Sequence, residues 1–559
     1  MNAAMSPSPR ASGDTSVVWL AWLLLGVGLL TVAWLLPVNV KSLNTALLRE
    51  AGRDTLPVSG FARSLLDRDK PGPAALALEA ALAVNDPGAP AVKVVFEDYA
   101  QRHPDMMPWG GWDAALEPLL QGDGRAAERA SKPVLAFMAR QQPRDNLRRY
   151  LGVSRLPGVQ TLMKTAELTG TTRFVPARRP GGQPLDAVIL LTAYLWQSEH
   201  LSPTLQREVR GLAETAVSSG HLGALEDFYL DILTLGKRLD WTQLSELLST
   251  ATSTGTVGQF AHLARVAPEH LAVSYTAALM TRSADAVARY LIAYGQPGAD
   301  SLRLALANGE GAVRQLVERQ APVSTAAGPE FEFGASFALR NPDLALLLKY
   351  AAFLGGIFLL IRAVDARLFT SIEHALRGAF PRMGGGVLAL ILTFIFFVFS
   401  EPYLLKAAAP SEYQIKLAIP VLGAAAPADA APPPVTAMQN STVLSVVIFA
   451  VLQVIMYVIC LLKISDIDRQ PISPALKLRL AENEENLFDG GLYIGIAGTA
   501  AALVLQVMQV IEANLLAAYS SNLFGIVCVA LVKIRHVRPY KRKLILEAQG
   551  PVVAAPVTA

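Results

Sequence analysis

Apolar and polar positions alternate along this chain on two scales. Six stretches, 17–36, 344–361, 386–405, 442–462, 490–511 and 515–532, are almost wholly apolar. A helix needs about 20 such residues to cross a bilayer core, because no water is available there to satisfy its backbone. Between the first two stretches lies a polar region in which apolar residues recur every third or fourth position, the period of a helix with one buried face. The pattern predicts an all-α, polytopic membrane protein with about six transmembrane helices and one large helical domain outside the bilayer. The sixth stretch is the least apolar, since Tyr519, Ser520, Ser521 and Asn522 make its first turns polar.

Within the polar region, residues 204–320 break into short helical blocks. Asp240 caps a block carrying Trp241, Leu244, Leu247 and Leu248. Pro268 opens another with Leu271, Tyr275 and Leu279, and Ser283 a third with Val287, Tyr290 and Leu291; 297–307 and 312–317 continue the series. Helix pairs of this length, stacked on their neighbours, make an α-solenoid-like helical-repeat domain, although the tetratricopeptide and ankyrin consensus patterns are absent. A non-repeating helical bundle is the alternative. Further helices are expected upstream, at 74–84 and 92–101. Such domains present surfaces for protein partners. Two loops are candidates for contact, 103–112 with Trp109 and Trp112, and 173–179 with its arginines, although an ordinary packed or solvated loop is the preferred reading of each.

Charge orients the spans. The tail carries Lys533, Arg535, Arg538, Lys541, Arg542 and Lys543 before any acid, which places it in the cytoplasm by the positive-inside rule. Counting backwards, Arg469, Lys477 and Arg479 are cytoplasmic, 406–439 external, Arg367 and Arg377 cytoplasmic, and the large domain external. The expected organisation is a cytoplasmic N-terminus at 1–16, an anchor at 17–37, an extracytoplasmic α-helical repeat domain at 38–343, spans two and three at 344–405, an external Ala/Pro-rich loop at 406–441, spans four to six at 442–533, and a basic cytoplasmic tail at 534–559. In a bacterial cell this is a multi-pass protein of the inner membrane with a periplasmic domain. The first span reads as an uncleaved anchor, because Leu35-Leu36-Pro37-Val38-Asn39 offers no small-x-small cleavage site. In the external loop, Tyr413, Ile415, Leu417 and Ile419 alternate with Gln414, Lys416 and Ala418 like a lone β-strand.

Composition adds little. The net charge of +3 is small, and its concentration in cytoplasmic loops follows from topology, so no nucleic-acid partner is implied; the membrane partner is lipid. Both cysteines, Cys460 and Cys528, lie in predicted spans, so the external domain has no disulfide and must hold together by packing. The seven histidines are scattered, His262 and His270 being the nearest to a pair, and no metal, nucleotide or nucleophile-elbow motif is present. Gly384-Gly385-Gly386 reads as a hinge before a span. No catalytic, cofactor or metal residues are therefore assigned, and an enzyme is the least favoured class.

Polar residues inside spans are costly and are read as functional candidates. Thr499, Gln506 and Gln509 share one face of the fifth span. With Ser521 and Asn522 of the sixth they form a candidate polar seam, with Glu512 just beyond its outer end; the alternative is that these groups only fasten helices together. Here the chain resembles the MotA/TolQ/ExbB proton-channel family. Gly495-Ile496-Ala497-Gly498-Thr499 is similar to that family's Gly-Thr motif, and Ser521-Asn522-Leu523-Phe524-Gly525 to its Ala-Thr-x-x-Gly motif, with Asn522 standing where the family has Thr. The resemblance covers about the last 120 residues, and the cytoplasmic segment 465–489 is much shorter than the family's. It implies pore-facing motif residues and a single-span partner with a membrane Asp. Two functions follow as expectations: an integral membrane scaffold of an envelope complex, or an ion-conducting subunit.

Overall fold

The computed structural model describes residues 15–116, 132–324, 332–368, 440–507 and 515–548, with 389–390, 392–393, 396–397 and 401; side chains at 15–17, 365–368, 440–448, 501–507 and 515–520 are outside the description. The fold is all-α, as expected. Its one pair of strands among the described residues is minimal, Leu43–Asn44 running parallel to Val323–Ser324.

Three helices among the described residues are long and apolar enough to cross a membrane, Val18–Leu35, Pro342–Val364 and Phe449–Arg469. The sequence pattern suggested six. Most of 386–405, all of 406–439 with its strand pattern, and Gly384-Gly385-Gly386 lie outside the described residues. The helix Gly490–Val507 is described without the side chains of its last third, and Leu515–Leu531 has 17 residues, about one turn short of a typical span.

The chain divides into two compact units, one of 42–340 and one gathering 15–41 with the described residues beyond 340. In the first, local chemistry sets the helix starts. Ser202, Asp240, Ser253 and Ser283 each cap a helix by accepting a backbone N–H. Asp240 does so within a full capping box, Gln243 reaching back to the Asp240 N–H at 3.0 Å. The helical run Ala284–Ala307 is broken at Gly295 (φ 55°, ψ −135°), two residues before Pro297. A proline cannot continue the hydrogen-bond ladder and only glycine enters that backbone region cheaply, so the two blocks read from Ser283 and Pro297 are separate helices.

Neighbours in sequence pack together: Val58–Leu66 on Pro71–Ala83, Pro157–Thr165 on Gln183–Gln197, and Leu271–Thr281 on Ala284–Ala307. The ends of the unit also meet, because Thr45–Gly52 packs on Glu310–Arg319 and Glu332–Arg340. Gly52 and Gly311 permit that approach; a Cβ at Gly52 would stand 1.7 Å from the Asn308 carbonyl oxygen. The core is aromatic-rich, with Trp241, Tyr194, Tyr229, Tyr275, Tyr290 and Phe228 fully buried. Each such side chain contributes on the order of 1.5–3 kcal/mol through removal from water. The helix Gln183–Gln197 is buried continuously from Leu185 to Trp196. Its apolar run is too short for a bilayer and is a buried core helix instead.

Candidate functional site

In the second unit Gly490–Val507 and Leu515–Leu531 pack face to face through a stripe of small residues. A Cβ at Gly525 would lie 2.6 Å from the Gly491 carbonyl oxygen, and one at Gly495 would lie 3.2 Å from Asn522 Cα. Backbone therefore touches backbone, as it does where small residues line a helix crossing.

The polar residues of the expected seam fall into this crossing in part. Ser521 is fully buried, and its Oγ donates to the Gly495 carbonyl at 3.3 Å. Thr499 Oγ1 donates to the same carbonyl at 3.0 Å, a bond within its own helix. Asn522 brings its Cα against Gly495, and its Oδ1 is buried without a hydrogen-bond partner. The side chain of Gln506, and Gln509 and Glu512 altogether, lie outside the described residues. Sequence reading missed Gln453 of the helix Asn440–Arg469, whose Nε2 donates to the Gly491 carbonyl at 3.0 Å while its Oε1 has no partner. A lone Gln in the fourth apolar stretch was the available signal.

Beyond the crossing, Met456, Cys460, Phe488, Cys528, Val532 and Val537 form an apolar cluster. Both cysteines are free thiols and behave there as small apolar side chains. A π-helical turn, Val532–Val537, follows. It presents His536 to Tyr457, whose hydroxyl lies 2.7 Å from Nε2, and Lys533 to Asp489 at 2.7 Å. Lys463 pairs with Glu484 at 3.0 Å. The basic tail is thus partly spent on acids of the 484–489 segment. Tyr540, on the tail helix Arg538–Ala548, is pushed up to about 12 by burial and by Asp468.

A second polar cluster escaped the sequence reading altogether. The helix Thr15–Leu35 packs along Pro342–Leu368, with Gly26 and Gly356 in close approach. Just past that crossing, Lys349 is buried and donates to the Val38 carbonyl and, at 3.2 Å, to Asn39 Oδ1. Glu401 is 0 % exposed, and its Oε1 accepts the Val40 N–H at 2.7 Å and the Tyr350 O–H at 3.2 Å. Phe396 stacks on Phe353, and Phe397 meets Tyr350 edge-on. A lysine and a glutamate each standing alone in an apolar stretch was the signal that could have found them.

In the 42–340 unit, the two candidate loops are structural. Met107 and Trp109 are buried, Trp109 stacking on Phe137 with centroids 4.0 Å apart. Gly110 (φ 76°) brings its backbone against Asp240, where a Cβ would stand 2.3 Å from Oδ1. Only Trp112, at 69 % exposure, remains on the surface of that loop's aromatic pair. Asp113 accepts from Trp241 Nε1 at 2.8 Å and lies 2.6 Å from His200 Nε2. Burial alone would raise its carboxyl, but those two hydrogen bonds, with a third from the Ala115 N–H, outweigh it and hold it at about 2.

The 173–179 loop is fastened by buried Glu226, which accepts the backbone N–H groups of Thr172, Arg173 and Phe174 and the Thr172 hydroxyl. Burial raises that carboxyl, yet the converging donors win and keep it below its ordinary range. Arg173 pairs with Asp227 and Arg178 with Glu167. His270 Nε2 lies 3.1 Å from Gln296 Oε1, and burial followed by the field of Arg265 lowers the pKa of His262. No group of three or more His, Cys, Asp or Glu side chains is placed to hold a metal among the described residues. Comparison of the chain with protein-family models, with curated proteins and with solved structures finds no match.

Proposed function

We propose that the chain is an integral membrane scaffold. About six spans hold it in the inner membrane, a helical-repeat domain at 42–340 faces the extracytoplasmic side and binds protein partners of an envelope complex, and the C-terminus is cytoplasmic. The observation that carries this reading is the use made of the hydroxyls at the crossing. Ser521, fully buried, donates across the crossing to the Gly495 carbonyl and so fastens one helix to the backbone of the other, while Thr499 spends its hydroxyl on the same carbonyl within its own helix. Three helices of spanning length and apolarity support the membrane placement.

Cysteine accessibility in intact cells tests the topology. Single cysteines at Ser131 and Ala425 are expected to label from outside, and one at Ala554 only after permeabilisation. Labelling of the Ala554 position from outside overturns the orientation.

A second reading, an ion-conducting subunit resembling MotA/TolQ/ExbB with a single-span partner carrying a membrane Asp, is favoured by one feature. Asn522 Oδ1 and Gln453 Oε1 are buried acceptors without donors, which an ion or its water would satisfy. Proton flux into proteoliposomes holding the chain and its co-purifying partners separates the two. Conduction predicts flux that Thr499→Val and Asn522→Leu abolish in assembled complexes; no flux from an intact wild-type complex leaves the scaffold.

A further inference from the structure

We infer that Glu401 is a proton-exchanging carboxyl group within the membrane part of the chain, with Lys349 as its positioning residue. This rests on the reading of 344–361 and 386–405 as membrane spans.

The two carboxyl oxygens of Glu401 are unequal. Oε1 of Glu401 holds two donors, the Val40 N–H and the Tyr350 O–H, and the Lys41 N–H also approaches the carboxylate, whereas Oε2 is fully buried and makes no hydrogen bond of ordinary geometry. An ionised carboxylate with one uncompensated oxygen in an apolar setting is costly, and a proton on that oxygen removes the charge. Lys349 works the other way. Its ammonium is turned to the Val38 carbonyl and Asn39 Oδ1, and a cation near a carboxyl group favours the ionised form without a contact ion pair.

The two influences oppose each other, which is the condition for a proton that comes and goes. The same ammonium disfavours a metal cation at Oε2, so the ion that fits is a proton. Among the described residues, the titratable neighbours are Lys349 and Tyr350 from the Pro342–Leu368 helix, and Lys41, which is exposed, from the segment that supplies Val40. Phe396 and Phe397 contribute no charge.

Dicyclohexylcarbodiimide reports such a group. The acid proton moves to a diimide nitrogen, the carboxylate oxygen bonds to the central carbon, and the acyl group migrates to nitrogen to give a stable N-acylurea, with no leaving group. The full chain in native membranes is treated over a pH series and the adduct mapped by peptide mass spectrometry. Alkali extraction of the same membranes is run in parallel.

The expected result is an adduct on Glu401 that falls about tenfold for each pH unit above its midpoint. Lys349→Gln is expected to move that midpoint upward, because a cation that favours ionisation has gone. No adduct on Glu401, an adduct indifferent to pH, or labelling confined to other acids in a chain that resists alkali overturns the inference. A chain that alkali extracts refutes the membrane reading itself. The wild-type measurement decides the matter even if the Lys349 variant fails to accumulate.

Discussion

Asp231→Asn should stabilise the 42–340 unit at neutral and alkaline pH and leave it unchanged in mild acid. Asp231 lies on the helix Ala224–Gly236 against Thr254–Val266, where a Cβ at Gly258 would stand 2.9 Å from its Oδ2. Burial between the helices, with Asp227 one turn away, pushes the carboxyl up to about 7, and Arg265 and Arg173 only partly oppose this. The folded state therefore prefers the protonated form. For a carboxyl raised above its unfolded value near 4, the favourable contribution is complete below that value and is lost as pH rises through about 7. Ionisation of so shifted a group costs at most about 4 kcal/mol, and the solvent that reaches its edge reduces this to about 1–2 kcal/mol. Asn keeps the shape and cannot ionise. Urea denaturation followed by tryptophan fluorescence should find the variant about 1–2 kcal/mol more stable than wild type near pH 8, with the gap closing near pH 4. A variant equally or less stable at both pH values would refute the reasoning.

Asp113→Asn should act in the opposite sense. The native carboxylate is held near about 2 by His200 and Trp241, so its contribution of about 2 kcal/mol is present above pH 4 and is lost as pH falls through 2, which thermal melts at pH 7 and pH 3 would show. Asp240→Ala removes a capping box and should cost about 1 kcal/mol or more in urea midpoint measurements on the same unit. Gly525→Ala forces a methyl group against the Gly491 carbonyl and should loosen the helix crossing by about 1–3 kcal/mol, read as a lower melting temperature of the full chain in detergent. Circular dichroism of the 42–340 unit with reductant and chelator should remain helical; loss of structure on chelation would contradict a fold held by packing alone.

Local patterns in this sequence determine what local chemistry can determine. Asp240 and Ser283 announce their helices because a cap is a bond between near neighbours, and Pro297 announces a break because its ring forbids continuation whatever surrounds it. Apolar length marks out Val18–Leu35, Pro342–Val364 and Phe449–Arg469 for the same reason, since spanning capacity is a property of one segment. Tertiary structure decided the rest. Nothing near Trp109 says that it will stack on Phe137, or that Gly110 will abut Asp240 across 130 residues, so the sequence left the aromatic loop as packed or solvated without saying which, and its packing against the core is a tertiary fact. Thr499 and Ser521 were legible as polar groups in apolar stretches, but their sharing of the Gly495 carbonyl depends on how two helices cross. Glu401 and Lys349 were visible letters without visible neighbours. Their burial beside Val38 and Val40 joins residues more than three hundred positions apart, and only the folded chain brings those backbone groups to them.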